Sequence, residues 1–243
     1  MTMKRRVFLK TVGGAAGAAA LGVPRVFAAA DPAPHSGDLP RRTLGRTGMK
    51  VSVVGFPGLA LTKLDQEKAT AALHRAFDRG VNFFDVAPAY GNGDAEIKMG
   101  MGLPGLDRGK YYLACKTKKR DRAGAQMELE RSLQRLKTDY FDLYQLHHLV
   151  RPAEVTDACG AEGVIELALK AKQEGKIRFI GFSAHTTKSA VQALKAFKFD
   201  TVMFPINFVE FFLRDFGKDV MDLANQQGAA ILANKPMSRG TWP

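Results

Sequence analysis

Gly55-Phe56-Pro57-Gly58-Leu59-Ala60 is the stretch whose reading decides the fold. It stands between an apolar strand pattern at 51–56 and an amphipathic helix pattern at 65–79. A doubly wound nucleotide-binding sheet carries G-x-G-x-x-G at this point, where glycines let backbone approach a pyrophosphate. Here Pro57 and Ala60 occupy the places of the second and third glycines, so that fingerprint is absent. Working outward, further strand patterns lie at 82–86, 111–117, 141–147, 178–183, 201–207 and 229–235. Helix patterns at 95–101, 124–136, 164–174, 188–197 and 218–227 separate most of them. In the 65–79 helix, Ala69, Ala72, Leu73, Ala76 and Phe77 recur at i, i+3, i+4, i+7 and i+8. Asp65 is placed to cap its start and Gly80 its end.

The strands are apolar on both faces, the mark of a parallel sheet covered by helices. A (β/α)8 barrel places its reactive groups at the C-terminal ends of many strands, around one mouth. Asp85, Lys116, His147, Ser183, Asn207 and Lys235 end six successive strand patterns. The expected fold class is therefore α/β, a TIM-like (β/α)8 barrel.

Composition narrows the rest. The chain has 243 residues, 46% of them hydrophobic, enough to bury one substantial core. Its net charge of +12 resembles a nucleic-acid signal, but five cations sit in the first thirty residues with no acid. Without them Lys+Arg falls from 36 to 31 against 24 acids, leaving +7, spread along the chain. The densest run, 116–122, reads as a solvated loop, with dinucleotide phosphates as its other partner. No nucleic-acid partner is expected. Cys115 and Cys159 show no CxxC spacing, and no metal-ligand set is expected.

The N-terminus reads as an address. Arg5-Arg6-Val7-Phe8-Leu9-Lys10 matches a twin-arginine pattern, with Lys4 before it. A Gly/Ala-rich stretch follows, too short for a stable membrane span. Ala28-Ala29-Ala30 then offers a small-residue cleavage site. Residues 1–30 are expected to be a signal peptide, 31–40 a Pro/Gly linker and 41–243 the barrel domain. The twin-arginine export machinery is the implied partner, and a periplasmic or exported location follows.

The chemistry starts from Phe83-Phe84-Asp85-Val86-Ala87-Pro88-Ala89-Tyr90-Gly91. It sets a carboxylate and a phenol five positions apart at a strand end. Lys116 and His147 stand at the ends of the next two strands. Together these four can protonate a carbonyl oxygen while a hydride arrives at its carbon. A phenol titrates near pH 10, and a nearby ammonium favours its phenolate. Tyr90 is thus the candidate acid, Lys116 its activator, Asp85 the anchor of Lys116, and His147 the group that orients the substrate oxygen. Singly each has a structural role open to it: a cap, a loop residue, a surface lysine, a satisfied histidine. Their joint placement at one mouth is what points to a site.

Arg42-Thr43-Leu44-Gly45-Arg46-Thr47-Gly48-Met49-Lys50-Val51-Ser52 resembles the start of the aldo/keto reductase family, a hairpin closing the barrel's bottom. The segment Phe84 to Gly91, with Glu96 and Gly100, resembles the family's Asp/Tyr signature. Ala114-Cys115-Lys116-Thr117 resembles its lysine strand, and Asp139-Tyr140-Phe141-Asp142-Leu143-Tyr144-Gln145-Leu146-His147 its histidine strand. Gly175-Lys176-Ile177-Arg178-Phe179-Ile180-Gly181-Phe182-Ser183 resembles its fifth-strand motif. The resemblance implies an oxidoreductase that reduces an aldehyde, ketone or sugar with a nicotinamide cofactor, NADP with NAD as the alternative. It assigns the same four roles to Tyr90, Lys116, Asp85 and His147, and the nicotinamide carboxamide to Ser183.

Other cofactor contacts are rewired. Ala184 and His185 follow Ser183 where the family commonly has Asn. Asn207 lies near the place of a family Gln, and Lys235 and Arg239 are candidates for phosphate. Gly181 has two readings, close backbone approach to a ligand or tight packing. The resemblance also implies an eighth strand and helix after 229–235 that this sequence does not show. The expectation is an incomplete barrel of about seven βα units: a fragment, an edge covered by another chain, or a degenerate barrel. The alternative function is therefore a non-catalytic barrel that binds a ligand or partner.

Overall fold

The computed structural model describes residues 39–237. Residues 1–38, which take in the expected signal peptide and most of the expected linker, and Arg239 lie outside the described residues. The chain opens with an antiparallel hairpin, β1 (Arg41–Thr43) and β2 (Lys50–Ser52), joined by a 3-10 turn at Gly45–Thr47. Seven strands then form one parallel sheet in chain order: β3 (Phe56–Pro57), β4 (Phe83–Asp85), β5 (Tyr112–Thr117), β6 (Phe141–Leu149), β7 (Ile177–Ala184), β8 (Thr201–Pro205) and β9 (Ala230–Asn234). Between them run α1 (Gln66–Asp78), α2 (Asp94–Gly102), α3 (Arg122–Leu136), α4 (Pro152–Cys159), α5 (Val164–Gln173), α6 (Thr187–Ala196), α7 (Phe208–Arg214) and α8 (Lys218–Gln227). This is the α/β order of a TIM-like barrel, with β3 and β9 at the two edges of the described sheet. Among the described residues no helix is long and apolar enough to cross a membrane.

Three expectations need correction. The 51–56 pattern is two elements, since Val51 and Ser52 pair with the hairpin while only Phe56 and Pro57 join the sheet. Asn207 does not end a strand. β8 stops at Pro205, and the Asn207 side chain caps α7 by accepting the Glu210 N–H at 3.1 Å. Helices α4 and α7 were not expected, because both are short and lie inside what reads as loop.

Period 2 divides each strand between two cores. The outward residues Phe84, Leu113, Cys115, Tyr144, Leu146, Ile180, Phe182, Val202 and Phe204 pack with the helices. The inward residues Phe83, Ala114, Leu143 and Ala230 meet Leu44, Met49 and Val51 of the hairpin, with Phe179 and Leu232 beside them. Contributions from β4, β5, β6 and β9 to one small cluster show how far the sheet curls. The hairpin plugs the bottom of that curl, and Arg46 ties it to the β8 side through Asp200 at 2.9 Å.

Two residues up from this plug, the inward positions turn polar: Asp85 above Phe83, Lys116 above Ala114, Gln145 above Leu143. Gly181 is the exception, and the structure assigns it the packing reading. A Cβ there would lie 2.1 Å from Thr201 Oγ1 and 3.0 Å from the Thr201 carbonyl oxygen. Gly181→Ala is expected to push β7 and β8 apart and to destabilise by about 1–3 kcal/mol, the usual cost of overpacking a core. A urea midpoint unchanged from wild type would count against this contact.

Candidate active site

The inward polar layer brings Asp85, Lys116 and His147 to the C-terminal end of the sheet. Registry explains the meeting: Asp85 lies opposite Ala114 on β5, and Lys116 opposite Gln145 on β6. Lys116 is fully buried. Its ammonium bonds Asp85 Oδ2, Tyr90 Oη at 3.2 Å and the Val86 carbonyl at 3.3 Å. Asp85 Oδ1 accepts a further bond from Gln145 Nε2 at 3.2 Å.

Tyr90 arrives from the loop after β4. That loop turns back on three successive left-handed residues, Gly91 at φ 62°, Asn92 at φ 53° and Gly93 at φ 96°. A Cβ at 93 would also lie 2.0 Å from Arg135 Nη1 and displace that guanidinium. Arg135 Nη1 in turn bonds the fully buried Glu96 at 3.0 Å. The α3 arginine thus clamps the start of α2 and the loop that carries the phenol. The Tyr90 ring meets His147 edge-on, with centroids 5.5 Å apart and planes at 89°.

Burial and charge compete at each group. Burial pushes the Lys116 ammonium down, but Asp85 and Tyr90 together push it up more, and it stands above its ordinary value. It is a fixed cation. For Tyr90, burial is the largest influence and raises the phenol; Lys116 lowers it, without reversing the shift. The ammonium acts in the expected direction, and burial outweighs it. The resting phenol keeps its proton, ready to be given only when charge develops beside it.

His147 is 8% exposed, and burial first, then Lys116, Lys118, His148 and Arg120, lower it to about 2. The imidazole is neutral at all ordinary pH. Its Nδ1 is buried without a partner. A buried bare acceptor is tolerated better than a buried unpaired N–H, which assigns the proton to Nε2. His147 therefore presents an N–H to the mouth and is a hydrogen-bond donor rather than a proton source.

One consequence is measurable. The unfolded histidine titrates near 6.5 and the folded one near 2, so between these values the unfolded chain binds the extra proton. His147 stabilises the fold fully above pH 6.5, and this contribution is lost as pH falls toward 2. Stability is expected to drop by on the order of 1 kcal/mol per pH unit in that window from this group. His147→Gln should flatten the acid limb of a Tm-versus-pH curve by that amount; an unchanged limb would refute the assignment.

The remaining expected residues sit around this centre. The Ser183 hydroxyl, buried at the end of β7, accepts the His148 N–H at 2.8 Å. Its own O–H is left to donate. Asn207 has its Oδ1 engaged in the α7 cap. Lys235, just past β9, lies against His185, Nζ to Nδ1 at 3.2 Å. Ser183 is thus bonded to the His148 N–H and Lys235 to His185, while Lys116 bonds Asp85, Tyr90 and the Val86 carbonyl.

Two participants escaped sequence reasoning. Gln145 stands two positions before His147, so strand alternation alone could have found it. Arg120 belongs to the charge run read as a solvated loop. Lys118, Lys119 and Arg122 are indeed exposed, but Arg120 is half-buried. Its Nη2 donates to the His147 carbonyl at 2.8 Å and to Glu154 at 3.3 Å. Nothing in the local pattern distinguished it from its neighbours.

Comparison with known proteins follows the same lines. The aldo/keto reductase family matches residues 53–243. The chain belongs to the aldo/keto reductase family. The L-galactose dehydrogenase of Arabidopsis thaliana is 31% identical over 213 residues, covering 82% of this chain and 66% of its own. The chain spans 59–66% of the length of four curated relatives. The holo aldo-keto reductase of Bacillus halodurans superposes with a TM-score of 0.72 at 27% identity, over 84% of this chain and 70% of that one. The aldo-keto reductase of Klebsiella pneumoniae, solved in complex with NADPH, gives 0.67 at 25% identity, over 82% and 69%.

Proposed function

We propose that this aldo/keto reductase reduces the carbonyl of an aldehyde, ketone or open-chain sugar. NADP is the favoured cofactor and NAD the alternative, and Tyr90 is the proton donor. The observation that carries the reading is the bonded series Asp85–Lys116–Tyr90 with His147 edge-on to the phenol. Three polar groups converging on one buried ammonium at a barrel mouth is an arrangement that packing alone does not require.

The residues at the mouth fit the nicotinamide end of such a cofactor. Ser183 holds a buried hydroxyl whose lone pair is already satisfied by His148, leaving an O–H for an amide oxygen. Bound there, the cofactor would supply hydride to the carbonyl carbon. His147 Nε2–H and Tyr90 Oη–H both point hydrogen at the carbonyl oxygen. As that oxygen becomes alkoxide-like, Tyr90 gives up its proton and the oxygen takes it. The phenolate so formed is held beside the Lys116 ammonium, whose charge Asp85 keeps in place, until solvent returns a proton. The product is the alcohol, richer by one hydride (two electrons and a proton) from the cofactor and one proton from the phenol. Run backward, the same residues oxidise an alcohol, the direction stated in the name of the Arabidopsis relative.

NADPH consumption by the purified chain against a panel of aldehydes, ketones and aldoses tests the proposal, with NADPH fluorescence as the binding readout. Saturable binding and turnover with at least one carbonyl class are expected. Absence of any saturable binding would favour the non-catalytic barrel. The leader reading of residues 1–30 adds export to this proposal, tested by fractionating cells that express the full chain.

A further inference from the structure

The pairing of β5 with β6 runs as far as Thr117 and Leu146, one residue short of His147. On its other side β6 carries one residue more than β7: Leu146 lies opposite Phe182, and Leu149 opposite Ala184. The peptide between His147 and His148 therefore falls in a bulge, between the paired residues. His148 is left-handed at φ 64°, a conformation uncommon for any residue with a side chain. Such backbone persists only where its surroundings hold it. Bulges beside active sites re-aim a side chain in this way.

Two side chains hold this peptide, one at each end. The His148 N–H donates to Ser183 Oγ on β7 at 2.8 Å. The His147 carbonyl accepts from Arg120 Nη2 at 2.8 Å, in the loop after β5. Arg120 thus supplies the bond that the β5 ladder does not reach. It is itself braced. Its side chain is 14% exposed, and the same Nη2 meets Glu154 Oε1 at 3.3 Å. Glu154 Oε2 accepts the Val150 and Arg151 N–H groups at 3.0 and 2.8 Å, at the start of α4. The Arg120 carbonyl accepts the Val164 N–H at 2.9 Å, which ties the loop to the start of α5. Lys118 and Lys119, its neighbours in the run, are exposed. Taking a guanidinium out of solvent costs free energy unless its hydrogens find partners. Here the partners are the backbone of a site residue and the carboxylate that holds the next loop.

We propose that Arg120 is a positioning residue for the reduction: it fixes the His147 peptide so that the imidazole N–H stands at the substrate oxygen, with Glu154 as its brace. The kinetic half of this rests on the reductase reading above, and the placing of His147 does not. Without the guanidinium the bulge is held at the Ser183 end alone, and the imidazole is free to leave its place beside Tyr90.

With NADPH and a carbonyl that the wild type reduces, Arg120→Met is expected to lower kcat about tenfold or more, since small displacements of an orienting group cost that much. NADPH affinity is expected to stay near the wild-type value, because Arg120 acts through His147 on the substrate oxygen. A second readout needs no turnover. In proton–nitrogen spectra of the chain carrying isotope-labelled histidine, the His147 ring signal is identified by its loss in His147→Gln. It is expected as one Nε2–H form in the wild type, and to shift or broaden in Arg120→Met. The His74 ring on α1, bonded to the Gly102 carbonyl at 2.9 Å, is expected to stay unmoved. Should Arg120→Met not fold, Glu154→Gln takes its place. It keeps an acceptor for the two backbone N–H groups, removes the charge opposite Arg120, and is expected to move both readouts the same way by less. In whichever variant folds, an unmoved His147 signal overturns the proposal, and so does an unchanged kcat. A lower Tm with neither change is what a merely structural residue would give. If the wild type reduces no carbonyl yet the His147 signal moves, the reductase reading falls and the placing of His147 by Arg120 stands.

Discussion

Tyr90→Phe is expected to lower kcat by about 10²–10⁴-fold, the range that a positioned proton donor contributes. The variant should still fold. The phenol oxygen is bonded to Lys116 at 3.2 Å, and when it goes the ammonium keeps Asp85 and the Val86 carbonyl. The lost stability is then that of one hydrogen bond, about 0.5–1.5 kcal/mol. The ring stays, so its edge-on contact with His147 stays as well. Steady-state kinetics, circular dichroism and an NADPH titration together make the check. Near-wild-type turnover in a folded, cofactor-binding variant would remove Tyr90 as the acid, and with it the proposed mechanism.

Lys116→Met is expected to act on both stability and activity. Lys116 is fully buried and Asp85 is mostly so. Removing the ammonium leaves a carboxylate whose remaining contact is the Gln145 amide at 3.2 Å. Breaking one partner of a buried pair in this way costs about 3–5 kcal/mol. The double variant Asp85→Asn/Lys116→Met removes both charges, so most of that stability should return. Activity should not, because the phenolate would have no cation beside it. Urea unfolding of the single and double variants reads the first effect, and kcat the second. A double variant as unstable as the single one would show that the pair is not the source of the loss.

The two variants differ in what they isolate. The Tyr90 hydroxyl is needed for proton delivery and little else. Lys116 holds the local structure together as well as the charge, since its ammonium bridges β4, the loop after it and the phenol. A loss of activity in Lys116→Met is informative only beside the double variant, whereas in Tyr90→Phe it stands alone.

Much of the fold was legible because it rests on short-range patterns. Strand alternation, helix periodicity and Asp65 as a cap are local, and each appears where the pattern placed it, with Asp65 accepting the Lys68 N–H at 2.8 Å. The short helices α4 and α7 were not legible, since too few turns carry the period. The division of 51–56 between hairpin and sheet was hidden for a different reason. Apolar residues suit either partner, and only the hairpin's placement under the sheet decides between them.

The candidate site divides in the same way. Asp85, Lys116 and His147 could be named from the sequence because a strand end is a local feature, and barrel topology turns strand ends into one mouth. Gly181 could not be read, because a missing side chain looks alike whether a ligand or Thr201 fills the space. The net direction of the Tyr90 shift also lay beyond reach. A lysine's attraction is predictable from its type, but burial is a property of everything around the ring.

By itself, then, the amino-acid order determined the succession of elements and the chemical types offered at each strand end, since both depend on neighbours a few residues apart. The tertiary structure alone decided which of those groups meet, which imidazole stays neutral, and which arginine leaves solvent to hold a carbonyl. These depend on registry and desolvation, which are set by residues distant along the chain and adjacent only once the sheet has curled.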